Sequence, residues 1–186
     1  MQLLSHFQAR HGAFCAVDFE TADHARDTAC AIAVVRVERN RVVDEWSTLI
    51  RPPGGRVNPR FTRIHGIREV DVKGAPDFAE AWTEARKRLR GARFLAAHNA
   101  GFDASVLRAC LERHQLRTPA TPFLCTVRLA RHHWNIRPTR LPDVAAALGL
   151  PLNHHDARSD AAACAGIVTA WRRGVNSSAV TRTQET

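Results

Sequence analysis

The alternation of apolar and polar positions changes period several times along the chain. From Ala13 the stretch AFCAVDFE is apolar at nearly every position, as strands covered on both faces are. AIAVVRVE and VVDEWSTLI predict two more strands, joined at Arg39-Asn40-Arg41. A loop rich in Pro, Gly and Arg follows, RPPGGRVNPRFTRIHGI, with no periodicity to suggest an element of its own. Pro76 opens a helix, PDFAEAWTEARKRLRG, that ends at Gly91. RFLAAH predicts a fourth strand leading into a helix, GFDASVLRACLERHQL, and PFLCTV a brief fifth strand. VRLARHHW predicts a helical turn or two, LPDVAAALGL a short helix closed by Gly149, and a last helix runs from near Ala157 to about Arg173. Three strands followed by alternating helices and strands imply an α/β domain over residues 13–174 with a mixed sheet and the first strand at its centre. Residues 1–12 form a lead-in, and the polar, aperiodic tail 175–186 is expected to be disordered.

Composition narrows the class only modestly. With 186 residues, 45% of them hydrophobic, the chain can bury one ordinary core without disulfides or a structural metal. No run approaches the roughly 18 apolar residues of a membrane span, and the N-terminus lacks a basic start followed by an apolar stretch, so a cytoplasmic protein with no membrane partner is expected. The five cysteines are scattered and never form a CxxC pair, which argues for reduced, buried side chains and against zinc. A net charge of +9 suits a polyanionic partner. Only Lys73 and Lys87 are lysines, however, so 25 of the 27 basic residues are arginine, a skew that genomic base composition produces equally well. Charge alone thus permits nucleic acid without establishing it.

The informative residues are acids in unusual places. The strand period of two puts Asp18 and Glu20 on one face, their Cα atoms about 6.6 Å apart, close enough for both carboxylates to reach one cation or a pair of them. In GFDASVLRACLERHQL, Asp103 lies in the first turn between the apolar rows, on the core side. An ionised carboxylate there is favoured by the helix dipole but costs free energy if desolvated without a partner. In the last helix Asp160 heads a stripe with Cys164, Ile167 (or Val168) and Trp171, while Asp156 is the better placed capping residue. His155, in the loop NHHDA before that helix, has the chemistry of a general base near neutral pH. His154 ranks behind it, because in an extended chain only one of the two faces the site. Oxygen ligands without Cys or clustered His favour Mg²⁺ or Mn²⁺ over zinc.

These segments resemble the motifs of the DnaQ-like, DEDDh 3′→5′ exonucleases of the ribonuclease H-like superfamily. VDFET (17–21) is similar to the first motif, HNAGFD (98–103) to the second and HHDARSDA (154–161) to the third, with FTRIHGI (61–67) similar to the intervening loop. The resemblance covers about residues 13–172. It implies a ribonuclease H-like fold, a five-stranded mixed sheet flanked by helices, and release of nucleoside 5′-monophosphates from a free 3′ end. It further implies two Mg²⁺ or Mn²⁺ ions held by Asp18, Glu20, Asp103 and Asp160, with Asp18 between them and His155 as general base. Thr21, His65, Asn99 and Phe102 would hold the terminal nucleotide. DNA of proofreading or repair type, single-stranded, is the expected substrate, and RNA 3′-end trimming is the alternative. Where many proofreading subunits have Thr-Thr-Gly, this chain has Thr21-Ala22-Asp23. The chain ends soon after the last motif, which suggests an enzyme acting alone or only weakly associated with a polymerase.

Two rivals are weaker. A phosphohydrolase built on His155-Asp156 needs further helical His and Asp ligands, whereas the upstream acids here lie on a strand. A non-catalytic nucleic-acid or polymerase-binding module would have no use for the complete set of acids.

Overall fold

The computed structural model describes residues 9–176. Its strands are β1 (Phe14–Thr21), β2 (Ala29–Glu38), β3 (Arg41–Leu49), β4 (Leu95–Ala97) and β5 (Phe123–Cys125). Its helices are α1 (Pro59–His65), α2 (Glu69–Val72), α3 (Phe78–Arg88), α4 (Ala100–Arg113), α5 (Thr126–His133), α6 (Leu141–Ala147) and α7 (Ala157–Arg172). The strands form one sheet in the order β3-β2-β1-β4-β5. β1 pairs antiparallel with β2 and parallel with β4, so the expected mixed five-stranded sheet with β1 at its centre is present. Glu38 pairs with Arg41 across a two-residue connection, and Arg39 and Asn40 both take positive φ (50° and 60°), the backbone that matches the twist of a tight hairpin.

The period of two along β1 feeds two separate cores. Phe14 and Ala16 join β2 residues Ala31, Ala33, Val35 and Val37 beneath α5, α6 and α7. Cys15, Val17 and Phe19 face the opposite way, against α3 and α4. The α7 side is built from small residues on both partners, Ala31 and Ala33 of β2 and Ala161, Cys164 and Ala165 of α7, so the helix axis can lie close over the sheet. The α4 side takes larger side chains, Val106, Leu107, Cys110 and Leu111, from its predicted stripe.

The structure corrects several expectations. The segment read as lacking any element, 51–67, contains a 3₁₀ turn at Pro53–Gly55 and the helix α1. Asn58 caps α1 by accepting from Arg60 N–H, Pro59 opens it, and Gly66 closes it at φ 78°. None of its seven residues is buried, so no apolar stripe announces it. The four-residue α2, with only Val72 buried, is equally unannounced by the pattern. Helix α3 starts at Phe78 with Asp77 as its cap, two residues beyond Pro76, and β4 and β5 are three residues each. Part of the lead-in docks on the domain: Ala9 is buried, and the Arg172 guanidinium donates to the carbonyls of Ala9, His11 and Gly12. Val175, assigned to the tail, accepts from the Trp134 indole N–H at 2.8 Å. The rest of the predicted disordered tail, from 177 on, lies outside the described residues. All five cysteines are unpaired, and among the described residues no helix is long and apolar enough to cross a membrane.

Candidate active site

A mismatch of strand lengths opens the site. β1 has eight residues and β4 three, so β4 stops at Ala97 while β1 continues to Thr21. Cys15 N–H on this edge donates to the Phe94 carbonyl, and two steps of the strand period later Phe19 N–H points the same way with no strand left to receive it. Asp103, in the first turn of α4, fills the gap: its carboxylate accepts from Phe19 N–H at 3.2 Å. The missing stretch of β4 is thereby replaced by a side chain that brings negative charge to the end of β1.

On the other face of β1, Asp18 and Glu20 meet Asp160 of α7. One carboxylate oxygen from each of these three residues lies within 4.8 Å of the others. Asp103 lines the same cavity of about 260 Å³, although its oxygens are not part of that tight trio. Asp103 and Asp160 are buried, Asp18 and Glu20 half-buried. Burial pushes the Asp18 carboxyl well above the usual range, and repulsion from Asp103, Glu20 and Asp160 adds to it. Burial and the charges of Asp160 and Asp103 push Glu20 up to about 8. Burial lifts Asp103 to about 7, held back by the Phe19 hydrogen bond. Burial also raises Asp160, moderated by His154. Among the described residues no lysine or arginine forms an ion pair with any of the four. Desolvated carboxylates forced together without an internal cation are the donor set of a hard divalent ion.

The histidine loop is a turn, which changes the reading of His154. Asp156 caps α7 by accepting from Ser159 N–H at 2.9 Å, as expected, and Ser159 Oγ in turn accepts from Asn153 N–H at 2.7 Å. Between these anchors His155 adopts φ 70°. The chain is therefore not extended, and the two imidazoles stack with centroids 3.8 Å apart, both lining the acid cavity. His154 Nδ1 lies 2.9 Å from Asp160 Oδ2, while His155 contributes its backbone N–H to the same oxygen at 3.3 Å. The expectation that only one of the pair can face the site is wrong for that geometric reason. Burial and the neighbouring His154 lower the pKa of His155.

The residues expected to hold a nucleotide fall in three places. Asn99 and Phe102 line the acid cavity, where Asn99 has φ 70° at the entry to α4. His65 instead lines an adjoining groove of about 690 Å³ that reaches the site through His154 and His155. Thr21 is buried and lines neither space; its carbonyl accepts from His65 Nε2 at 3.2 Å. His65 Nδ1 accepts from Ile67 N–H, so its single proton sits on Nε2 and the ring is held by both nitrogens. His98 and Leu141 line the acid cavity without having been singled out from the sequence. His98 bridges the Thr126 hydroxyl (2.9 Å) and the Thr139 carbonyl (3.0 Å), tying the segment before α6 to the site. Its only sequence signal is its place at the head of HNAGFD.

A family profile described as exonuclease, RNase T, matches residues 15–168. The chain belongs to the RNase T exonuclease family. Among curated proteins it is similar to the DNA polymerase III PolC-type of Thermotoga petrophila, 31% identical over 151 residues. That match takes in 80% of this chain but 11% of the polymerase, so the chain spans about a tenth of its relative's length. Among solved structures, exonuclease X in complex with 5′ overhanging duplex DNA superposes with a TM-score of 0.70 at 23% identity, over 91% of this chain and 98% of that one. The nuclease domain of 3′hExo, a DEDDh family member bound to rAMP, gives 0.75 at 16% identity, over 87% and 92%. These superpositions show the ribonuclease H-like fold of the chain.

Proposed function

We propose that the protein is a 3′→5′ exonuclease that releases nucleoside 5′-monophosphates from the 3′ end of DNA, with single-stranded ends as its preferred form. The observation that carries this is the junction of Asp18 and Glu20 on β1 with Asp160 on α7, three carboxylates within 4.8 Å that among the described residues no lysine or arginine pairs with, in an exonuclease-family domain. The polymerase relatives favour DNA.

Asp18, Glu20, Asp103 and Asp160 would hold two Mg²⁺ or Mn²⁺ ions, which supply neutralisation of the phosphodiester and activation of water when bound. Within the protein, Asp18 stands centrally: all three other acids act on its charge. Glu20 and Asp160 come together across the β1–α7 interface, so a cation held between them would tie the sheet to the helix. His155 has the right state for a general base. Its lowered pKa keeps the imidazole neutral at pH 7, and the turn at φ 70° aims it at the cavity. His154 orients Asp160 through its Nδ1 contact. Asn99 and Phe102 form the wall on which the terminal nucleotide would rest, and His65, by fixing the Thr21 carbonyl, sets the shape of the opposite rim.

Digestion of 5′-labelled single-stranded DNA and RNA of one sequence, with Mg²⁺ or Mn²⁺ and with a chelator as control, tests the proposal. A descending ladder on DNA that the chelator stops is expected. Internal cuts would refute the exonuclease reading, and a ladder on RNA alone would move the substrate to RNA.

A further inference from the structure

The loop joining β1 to β2, residues 22–28, holds a cation at the rim of the acid cavity. Its first residues depart from the Thr-Thr-Gly pattern, and Asp23 takes on a structural task. Asp23 Oδ1 accepts from Ala25 N–H at 2.7 Å and from the Thr28 hydroxyl at 2.9 Å, closing a tight turn. Ala22 N–H donates to the Thr28 carbonyl at 2.7 Å across its base. The far side is pinned to α4: Cys110 Sγ–H donates to the Arg26 carbonyl at 3.6 Å, and Asp27 pairs with Arg113 at 2.7 Å. The backbone of Arg26 is thus held at both flanks while its side chain is exposed.

That side chain lies on Phe102, the guanidinium carbon 4.4 Å from the ring centroid, and Phe102 lines the cavity that holds the four acids. The ring contact holds the guanidinium beside the cavity, and among the described residues none of its five N–H donors has a hydrogen-bond acceptor. Among the described residues Arg26 makes no ion pair, unlike Arg113 beside it. A guanidinium held against an aromatic wall, its donors without a partner among the described residues, suits bidentate recognition of a phosphate.

We propose that Arg26, mounted on Phe102, is a substrate-positioning residue that binds a phosphate of the strand at its 3′ end, either that of the terminal nucleotide or the next one upstream. The proposal rests on the nuclease reading above for its substrate, but a binding measurement separates the two. Loop rigidity makes the contact part of a preformed site, so its loss acts on affinity more than on turnover.

The test compares the whole protein with Arg26→Ala and Arg26→Lys, using fluorescence anisotropy of a labelled oligo-dT in chelator and steady-state digestion of the same strand with Mg²⁺. Arg26→Ala is expected to weaken oligo-dT binding and raise KM about tenfold, with kcat nearly unchanged. The slope of log affinity against log salt should fall by about 0.7, the value for one phosphate contact on a single strand. Arg26→Lys should restore that salt slope while recovering only part of the affinity, because a point charge replaces the fork. Inhibition by dTMP locates the phosphate: a parallel rise in its inhibition constant assigns the terminal nucleotide, and an unchanged one the upstream phosphate. Unchanged affinity and salt slope in a folded Arg26→Ala protein would overturn the proposal, as would a loss confined to kcat. Should wild type bind oligo-dT but leave it intact, the nuclease reading fails while the Arg26 result still stands or falls on affinity.

Discussion

Glu20, pushed up to about 8, and Asp103, pushed up to about 7, still carry protons at neutral pH when no cation is present. A carboxyl must give up its proton before it can ligate, so protons and metal compete for one site. With Glu20 at about 8, roughly one molecule in eleven has it ionised at pH 7 and about ten in eleven at pH 9. Mg²⁺ affinity should therefore rise about tenfold over this interval, and Asp103 adds a factor of about two. The metal-free protein answers in the opposite sense. Both folded-state pKa values lie above those of the unfolded chain, so the stability these groups contribute is complete at low pH and is lost as pH rises through 7 and 8. The loss from pH 7 to 9 is about 1.4–1.8 kcal/mol, or roughly 3–7 °C in melting temperature for a domain of this size. Asp18 and Asp160, also raised by burial, act in the same sense on both arms. Burial lowers His65, His98 and His155, which leaves them titrating below this interval, while Cys15, Cys30 and Cys110 are pushed up to about 11, 12 and 11. Scanning calorimetry in chelator, with isothermal titration of Mg²⁺ at both pH values, measures the two arms. Glu20→Gln should flatten both. A metal-free melting temperature that rises from pH 7 to 9, or Mg²⁺ binding indifferent to pH, would refute the account of the cluster as repelling, desolvated acids.

Two further outcomes are expected. Asp160→Asn should lower kcat at least about 10²-fold, a few kcal/mol of lost transition-state stabilisation, while its melting temperature in chelator holds or rises because one repelling charge is gone. His155→Ala should lower kcat about 10²-fold, the usual scale of a general base, whereas His154→Ala should cost less and act mainly by raising the Mg²⁺ concentration needed, since it touches Asp160. Kinetics of both histidine variants across a Mg²⁺ titration check this ranking, and a larger kcat loss in His154→Ala would exchange the two roles.

The acids were legible because each broke a local rule. Asp18 and Glu20 interrupt an apolar strand, and Asp103 and Asp160 head core-facing helix stripes, so periodicity alone marks them. The motif resemblance then brought three distant segments to one place, which periodicity cannot do. What remained hidden has equally physical reasons. Helix α1 buries nothing, so its caps at Asn58 and Gly66 were its sole trace. His154 was ranked low on the assumption of extended backbone, and a single positive φ at His155 reverses that. His98 and Arg26 act through partners remote in sequence, Thr126 and Thr139 for one and Phe102 for the other, contacts that no local pattern encodes.

The same economy explains why the site sits where β4 ends. Had β4 continued beside β1, Phe19 N–H would be satisfied by backbone, and a buried Asp103 carboxylate would stand unpaired next to Asp18. Ending β4 at Ala97 lets α4 begin at Ala100, so its first turn delivers Asp103 to the vacated N–H. One hydrogen bond thus serves the sheet and anchors an acid at the same time. The remaining repulsion is carried by the two apolar cores that clamp β1 from both faces, with small residues under α7 letting Asp160 come within reach of Asp18 and Glu20. A larger side chain at Ala31 or Ala161 would lift α7 from the sheet and separate those carboxylates. Packing beneath the candidate site therefore sets the spacing of the acids above it, and the alanine-rich β2–α7 contact belongs to that site as much as to the core.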